Sequence, residues 1–137
     1  MNSPKNLTRK LVVVTPQDRV GRAKDLMESG NFRHLPVVEH GRLVGMLSYS
    51  DVRNLEGSDV VNNAMTPDPV TVAPTQTIDH AIRLMLELKI SALPVVVDGK
   101  PIRIFSTSDI LKGLLQAKRS ESLAVFLSRA VGDPLVF

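Results

Sequence analysis

Leu35-Pro36-Val37-Val38, running on through Gly41 and Gly45 to Ser48-Tyr49-Ser50-Asp51, occurs twice in this 137-residue chain. Leu93-Pro94-Val95-Val96 repeats the apolar run, Gly99 repeats Gly41, and Ser106-Thr107-Ser108-Asp109 repeats the polar end. Each pair is 58 positions apart (93 − 35 and 109 − 51 both give 58). At the same offset Thr8 matches Thr66, Val12 and Val14 match Val70 and Val72, and Pro16 matches Pro74. Ala23, Leu26 and Met27 match Ala81, Leu84 and Met85, and no gap is needed between residues 7 and 58. The matched positions are apolar, glycine, proline or small polar, while charged positions drift, as Asp25 against Arg83. A constant period with that pattern is one fold used twice.

Each copy reads as β-α-β-β-α. Val12 to Val14 and Val70 to Val72 are short β-branched runs closed by a proline, which predicts a strand ending at a turn. Val20, Ala23, Leu26 and Met27, then Ile78, Ala81, Ile82 and Met85, recur at three- and four-residue spacing, the pattern of an amphipathic helix with methionines in the core. Thr77 is placed to cap the second of these helices and Gly30 to stop the first. Leu35 to Val38 and Leu93 to Val97 are apolar runs too short for helices. Glu39-His40-Gly41-Arg42 and Asp98-Gly99 supply hairpin turns, and Leu43 to Leu47 and Pro101 to Phe105 return as strands. Ser50-Asp51-Val52 and Ser108-Asp109-Ile110 open a second helix in each copy, continued in the second through Leu111, Leu114 and Leu115. Residues 55 to 64, with Gly57 and Asn62-Asn63, connect the copies.

The tail does not follow the repeat. Leu123, Phe126, Leu127, Ala130 and Val131 form one apolar face of a further helix ended by Gly132 and Pro134, and the sequence closes on Leu135-Val136-Phe137. Such a face packs on its own core or on a partner subunit, and a subunit contact is the expectation.

Composition narrows the function. Hydrophobic residues make up 43% and charged residues 23%, ordinary for a globular chain of this size, so a single compact unit is expected. No apolar run approaches the roughly 20 residues of a membrane span, and Met1 to Lys10 has no secretory-type segment. The absence of cysteine excludes disulfides, thiolate catalysis and cysteine-based metal sites. A net charge of +3 with scattered cations, one tyrosine, four phenylalanines and no tryptophan argues against a nucleic-acid surface. His34, His40 and His80 are not spaced as one metal site. Neither a GxxxxGK loop nor a GxGxxG fingerprint is present, and no nucleophile–base arrangement stands out. An enzyme is therefore not expected.

The polar ends remain. In Gly45-Met46-Leu47-Ser48-Tyr49-Ser50-Asp51 a hydroxyl and a carboxylate stand three residues apart where a strand becomes a helix. A helix start leaves backbone N–H groups unpaired and favours an anion such as phosphate. A carboxylate can accept from two ribose hydroxyls at once, Ser48 can turn its hydroxyl to sugar or phosphate, and at Gly45 a flat base could come close to the backbone. The plainer alternative is that Ser48, Ser50 and Asp51 only cap the helix, a need that both copies share.

On these residues the chain resembles a tandem pair of CBS domains, the cystathionine β-synthase type repeat or Bateman module. The resemblance rests on the Met65-Thr66-Pro67 opening, the two Leu-Pro-Val-Val strands, and the ends Gly45 to Asp51 and Arg103 to Asp109. It implies an α/β (α+β) fold: CBS repeat 1 at 7–58 and CBS repeat 2 at 65–116, packed sheet to sheet with pseudo-two-fold symmetry, plus a C-terminal helical tail at 117–137. It also implies a cytoplasmic regulatory sensor, free-standing and homodimeric, with clefts between the repeats that bind AMP, ADP or ATP, and less often S-adenosylmethionine, NAD or a divalent metal. No cofactor is required, and the regulated protein is unknown. In the family the terminal aspartate holds ribose hydroxyls, which carries over to Asp51 and Asp109. The hydroxyl three residues earlier carries over to Ser48 and Ser106, and basic residues before Leu-Pro, here Arg33 and His34, meet phosphate. Thr15, Tyr49, Ser50, Ser91, Ala92, Thr107 and Ser108 complete the candidate set. Copy two has Ser91-Ala92 in place of Arg33-His34 and Arg103 in place of Gly45, so the Asp51 site is expected to be the better one. The alternative reading is a ligand-free dimerisation or docking module acting on an enzyme or transporter.

Overall fold

The computed structural model describes residues 11–114 and 121–130. In place of a single compact unit, the chain forms two, one spanning Val12–Pro69 and the other taking in Leu11 and the chain from Val70 onward. The boundary falls one full repeat after Val12, so each unit is one copy of the 58-residue pattern.

In the first unit, Val14 adds to the edge of a hairpin, helix α1 (Val20–Gly30) follows, and strands β1 (His34–Glu39) and β2 (Arg42–Ser48) pair antiparallel. Helices α2 (Tyr49–Val52) and α3 (Val61–Ala64) come next, and β3 (Thr66–Pro67) pairs with β2. The second unit has α4 (Ile78–Leu88), β4 (Ala92–Val97), β5 (Lys100–Ser106), α5 (Thr107–Gly113) and α6 (Leu123–Ala130). From α1 to β2 every boundary recurs 58 positions later in α4, β4 and β5, and so does the bulge, at Val37/Val38 and at Val95/Val96.

Local chemistry explains the shared features and corrects some expectations. The runs Val12 to Val14 and Val70 to Val72 contribute one bridging residue each, not full strands: Val14 pairs parallel with Val37, and Val72 with Val95. The Val14 amide donates to the Pro36 carbonyl at 3.1 Å, and the Val38 amide donates to the Val14 carbonyl at 2.8 Å. Pro36 is tolerated in a paired strand because its missing N–H falls on the side where only this single residue bridges. The hairpins turn through two positive-φ residues, His40 and Gly41 in the first unit, Asp98 and Gly99 in the second. Two such residues in succession give the turn whose twist suits a two-residue hairpin. Gly30 does not stop α1 by its own conformation. The left-handed residue is Asn31 (φ 57°), matched by Lys89 (φ 56°) after α4. Gly30 is small because the Phe32 ring occupies the space a Cβ would take.

Each unit has its own apolar core. Val14, Val20, Ala23, Met27, Leu35, Val37, Leu47, Val52 and Val61 fill the first. In the second, Leu123, Phe126 and Leu127 of α6 join the equivalent residues, so this part of the tail packs within its own unit and not on another subunit. Val131 to Phe137, the rest of the expected tail contact, lie outside the described residues, as does Leu115. α5 ends at Gly113, with Leu111 72% exposed and Leu114 exposed as well, so these leucines do not extend a buried helical face.

The start of α6 is itself part of the repeat. The Val61 amide donates to the Asp18 carbonyl and the Leu123 amide to the Gln76 carbonyl, both at 2.8 Å. The Asn62 amide reaches Pro16 as the Ala124 amide reaches Pro74, and Val20 draws on Asp59 as Ile78 draws on Glu121. Arg19 bridges Val60 as Thr77 bridges Ser122. The offset has become 62 here (122 − 60), against 58 for the partners (77 − 19). Residues 55 to 64 are therefore not merely a connection, since α3 is the first copy of the element that closes the second unit as α6.

Candidate ligand-binding site

The β2–α2 corner is set by reciprocal hydrogen bonds. The Ser48 amide donates to Asp51 Oδ2 at 2.9 Å, and the Asp51 amide donates to Ser48 Oγ at 3.2 Å. Ser48 and Ser50 hydroxyls lie 3.0 Å apart. The box commits one aspartate oxygen to the backbone, and the carboxylate has a second. Because α2 is a single turn of four residues, its peptide dipoles are few, and the anion-attracting role assigned to this helix start falls to neighbouring side chains.

Those neighbours come from the chain entering β1. The Tyr49 amide donates to the Arg33 carbonyl at 2.8 Å, which holds residue 33 against the corner. The Arg33 guanidinium lies over the Tyr49 ring, 5.4 Å from its centroid. His34 stands opposite Ser48 in the ladder. Arg33, His34, Ser48, Tyr49, Ser50 and Asp51 thus meet at one place. Burial, and secondarily the Arg33 charge, push the His34 imidazole below its ordinary value of 6.5, while Asp51 pulls the other way. His34 is accordingly neutral near pH 7, so it does not serve as the second cation expected there.

The second unit builds the same corner from different neighbours. The Ser106 amide donates to Asp109 Oδ2 at 2.8 Å, Ser106 and Ser108 hydroxyls are 3.1 Å apart, and the Thr107 amide donates to the Ser91 carbonyl at 3.1 Å. Ser91 and Ala92 bring no charge, and Ala92 is buried. Asp109 is only 9% exposed, whereas Asp51 is exposed.

Gly45 plays a different part from the one its size suggests. It pairs with Val37 on one side and Pro67 on the other, and a Cβ there would strike Met65 Sδ and come within 3.1 Å of the Thr66 carbonyl. On the side where a side chain would project, the close approach at Gly45 is made by β3 and Met65. Met65-Thr66-Pro67, which the sequence assigns to the opening of the second repeat, packs with the first unit. Arg103 takes the Gly45 position in β5, opposite Val95. Asp18 caps the turn that Thr15 opens, the Thr15 amide donating to Asp18 Oδ2 at 2.8 Å. It follows the residue that bridges Val37, so it lies about four strand residues, or ~13 Å, along β1 from His34. The structure does not bring Thr15 to the corner. Two features had no sequence signal of their own: the Arg33–Tyr49 stacking, which requires the strand entry and the helix start to be joined, and the Met65 contact. Among the described residues no cluster of three or more His, Asp or Glu side chains could hold a metal ion. Among them, too, no helix is long and apolar enough to cross a membrane.

Two units of helix, hairpin and helix, each with a Ser-x-x-Asp box where the hairpin passes into the second helix, define a tandem-repeat module. A family model for the CBS domain matches the chain twice, over residues 5–57 and 58–116, and the chain belongs to that family as a CBS pair. It is 37% identical over 106 residues to the inosine-5'-monophosphate dehydrogenase of Korarchaeum cryptofilum; the match takes in 76% of this chain but 22% of that protein's length. Among solved structures it is similar to CBSX2, a CBS-pair protein from Arabidopsis thaliana. The AMP complex of CBSX2 superposes with a TM-score of 0.69 and 32% identity, over 82% of this chain and 94% of that one. The cytosolic domain of the Mg2+ channel MgtE in complex with ATP gives a TM-score of 0.67 and 26% identity, over 74% of this chain and 44% of that one.

Proposed function

We propose that this CBS pair is a regulatory module that binds an adenine nucleotide of the AMP, ADP or ATP class, with its principal site at the Ser48–Asp51 corner. The observation that carries the reading is the convergence of an exposed carboxylate, two hydroxyls and the Arg33 cation on one strand-to-helix junction. A carboxylate and hydroxyls suit a ribose, and a guanidinium suits phosphate. The AMP and ATP complexes of the two similar structures support the ligand class. The lesser exposure of Asp109 and the neutral Ser91-Ala92 support a preference for the first unit. Binding would regulate by favouring one conformation over another, since only differential affinity shifts such an equilibrium. S-adenosylmethionine and NAD are the weaker candidates. Thermal denaturation of the whole chain against AMP, ATP, NAD and S-adenosylmethionine tests the class. A ligand at a hundred times its dissociation constant adds about 2.7 kcal/mol, a clear upward shift. No shift with any adenine nucleotide would reject the reading.

A second reading, a dimerisation or docking module, is favoured by one observation. Leu86 and Leu111 are each 72% exposed, with Leu88, Ile90 and Leu114 exposed nearby in sequence. The positions 58 residues earlier hold Glu28 for Leu86, Arg53 for Leu111 and Glu56 for Leu114, so the fold itself does not require leucine there. A homodimer or a contact with a regulated protein would use this surface.

A further inference from the structure

His34 opens β1 and is half-buried, although it lies beside a polar corner. Two charged groups act on it: Arg33, its neighbour in the chain, and Asp51 from α2. From β2 it is faced by Ser48, which carries no charge, and Tyr49 of α2 is engaged with Arg33. In these surroundings burial and the Arg33 charge together outweigh the pull of Asp51, and the imidazole stays neutral. A phosphate group reaching Arg33 changes that balance. It offsets the guanidinium charge that disfavours the imidazolium and sets new negative charge beside the ring, so the protonated form becomes the favoured one.

We infer that His34 takes up one proton from solvent when a phosphate-bearing ligand binds at the Ser48–Asp51 corner, which makes that binding tighter as the pH falls toward 6. The inference rests on the nucleotide reading above and adds the ionisation state of the site and a pH response to it. Second-unit binding would lack this response, because Ala92 stands where His34 does.

Calorimetric titration of the full chain with AMP at pH 7, in buffers of different ionisation enthalpy, reads the proton directly. The observed enthalpy is expected to vary with the buffer, with a slope approaching one proton taken up. Adenosine, the same ligand without phosphate, is expected to give no slope, and His34→Gln to remove the slope seen with AMP. Affinity for AMP should rise as pH is lowered from 8, by at most about tenfold per pH unit for one linked proton. AMP carries a phosphate that itself titrates near 6, and the variant corrects for its contribution. AMP binding with no buffer slope, or with a slope that persists in His34→Gln, overturns the inference and leaves the nucleotide reading standing. Failure of AMP, ADP and ATP all to bind removes the nucleotide reading and this inference with it. If His34→Gln folds poorly, His34→Asn takes its place in the same titrations, and a slope that persists there overturns the inference.

Discussion

The Phe126 ring meets the Phe105 ring edge-on, with centroids 5.8 Å apart and planes at 79°. Phe105 lies on β5 and Phe126 on α6, and both are fully buried, so the last described helix is part of the second unit's core. Phe126→Ala is expected to destabilise that unit by about 3–5 kcal/mol, the usual cost of deleting a buried aromatic ring. Val125→Ala, one position earlier and half-exposed, is expected to cost under about 0.5 kcal/mol. Urea denaturation of both variants checks this, and equal small losses would mean that α6 is dispensable to the core.

Gly45 is close-packed by Met65 and the Thr66 carbonyl. Gly45→Ala is expected to destabilise the first unit by about 1–3 kcal/mol through overpacking. In combination with Met65→Ala the two costs should add to less than their sum, because the second substitution opens the space the first requires. A double-mutant cycle by chemical denaturation measures this, and strict additivity would contradict the contact.

His34 makes folding stability depend on pH. Its folded-state value lies below the ordinary 6.5. Below that ordinary value the unfolded chain therefore binds more protons than the folded one. The stability involved is complete above about pH 6.5 and declines as the pH falls through that value. Urea titrations at about pH 7.5 and about pH 5.5 should show a larger loss in the unsubstituted chain than in His34→Gln. The same loss in both would assign the dependence to other groups.

The exposed leucines of the second unit offer a test of assembly. Leu86→Glu together with Leu111→Arg replaces them with the residues found 58 positions earlier. A homodimer held by these leucines is expected to give a smaller species in sedimentation velocity once they are replaced, with unchanged thermal stability per chain. An unchanged sedimentation coefficient would remove this surface from any homodimer.

Most of the fold was legible because a constant offset carries both the apolar pattern and the turn chemistry. His40-Gly41 and Asp98-Gly99 mark the same turn, and Val20 and Ile78 begin the same helix. The likeness of α3 to α6 escaped the same comparison for a definite reason. The offset grows from 58 to 62 before Ser122, so Val61 and Leu123 never align at a fixed spacing, and the shared feature is a backbone hydrogen bond that has no residue signature. At the site, the Ser48–Asp51 and Ser106–Asp109 pairs could be read directly, since a capping box has a sequence form. What each aspartate exposes could not, because burial depends on packing from elsewhere in the fold. Neither could the charge of His34, which looks like a cation beside Arg33 in sequence and is held neutral by burial and by that same arginine.

The nucleotide site proposed at the first unit's Ser48–Asp51 corner is separated from the second unit's corner by substituting the two aspartates one at a time. Asp51→Asn keeps an oxygen to accept the Ser48 amide while removing the charge, and Asp109→Asn does the same in the second unit. Calorimetric titration of both variants with AMP and with ATP is the most direct test. Losing a charge-assisted contact, worth about 1.5–3 kcal/mol, should weaken binding roughly ten- to a hundredfold in Asp51→Asn. Asp109→Asn should change the affinity of that site by less than about threefold, well under one kcal/mol. Equal losses in the two variants, or a loss confined to Asp109→Asn, would contradict the assignment.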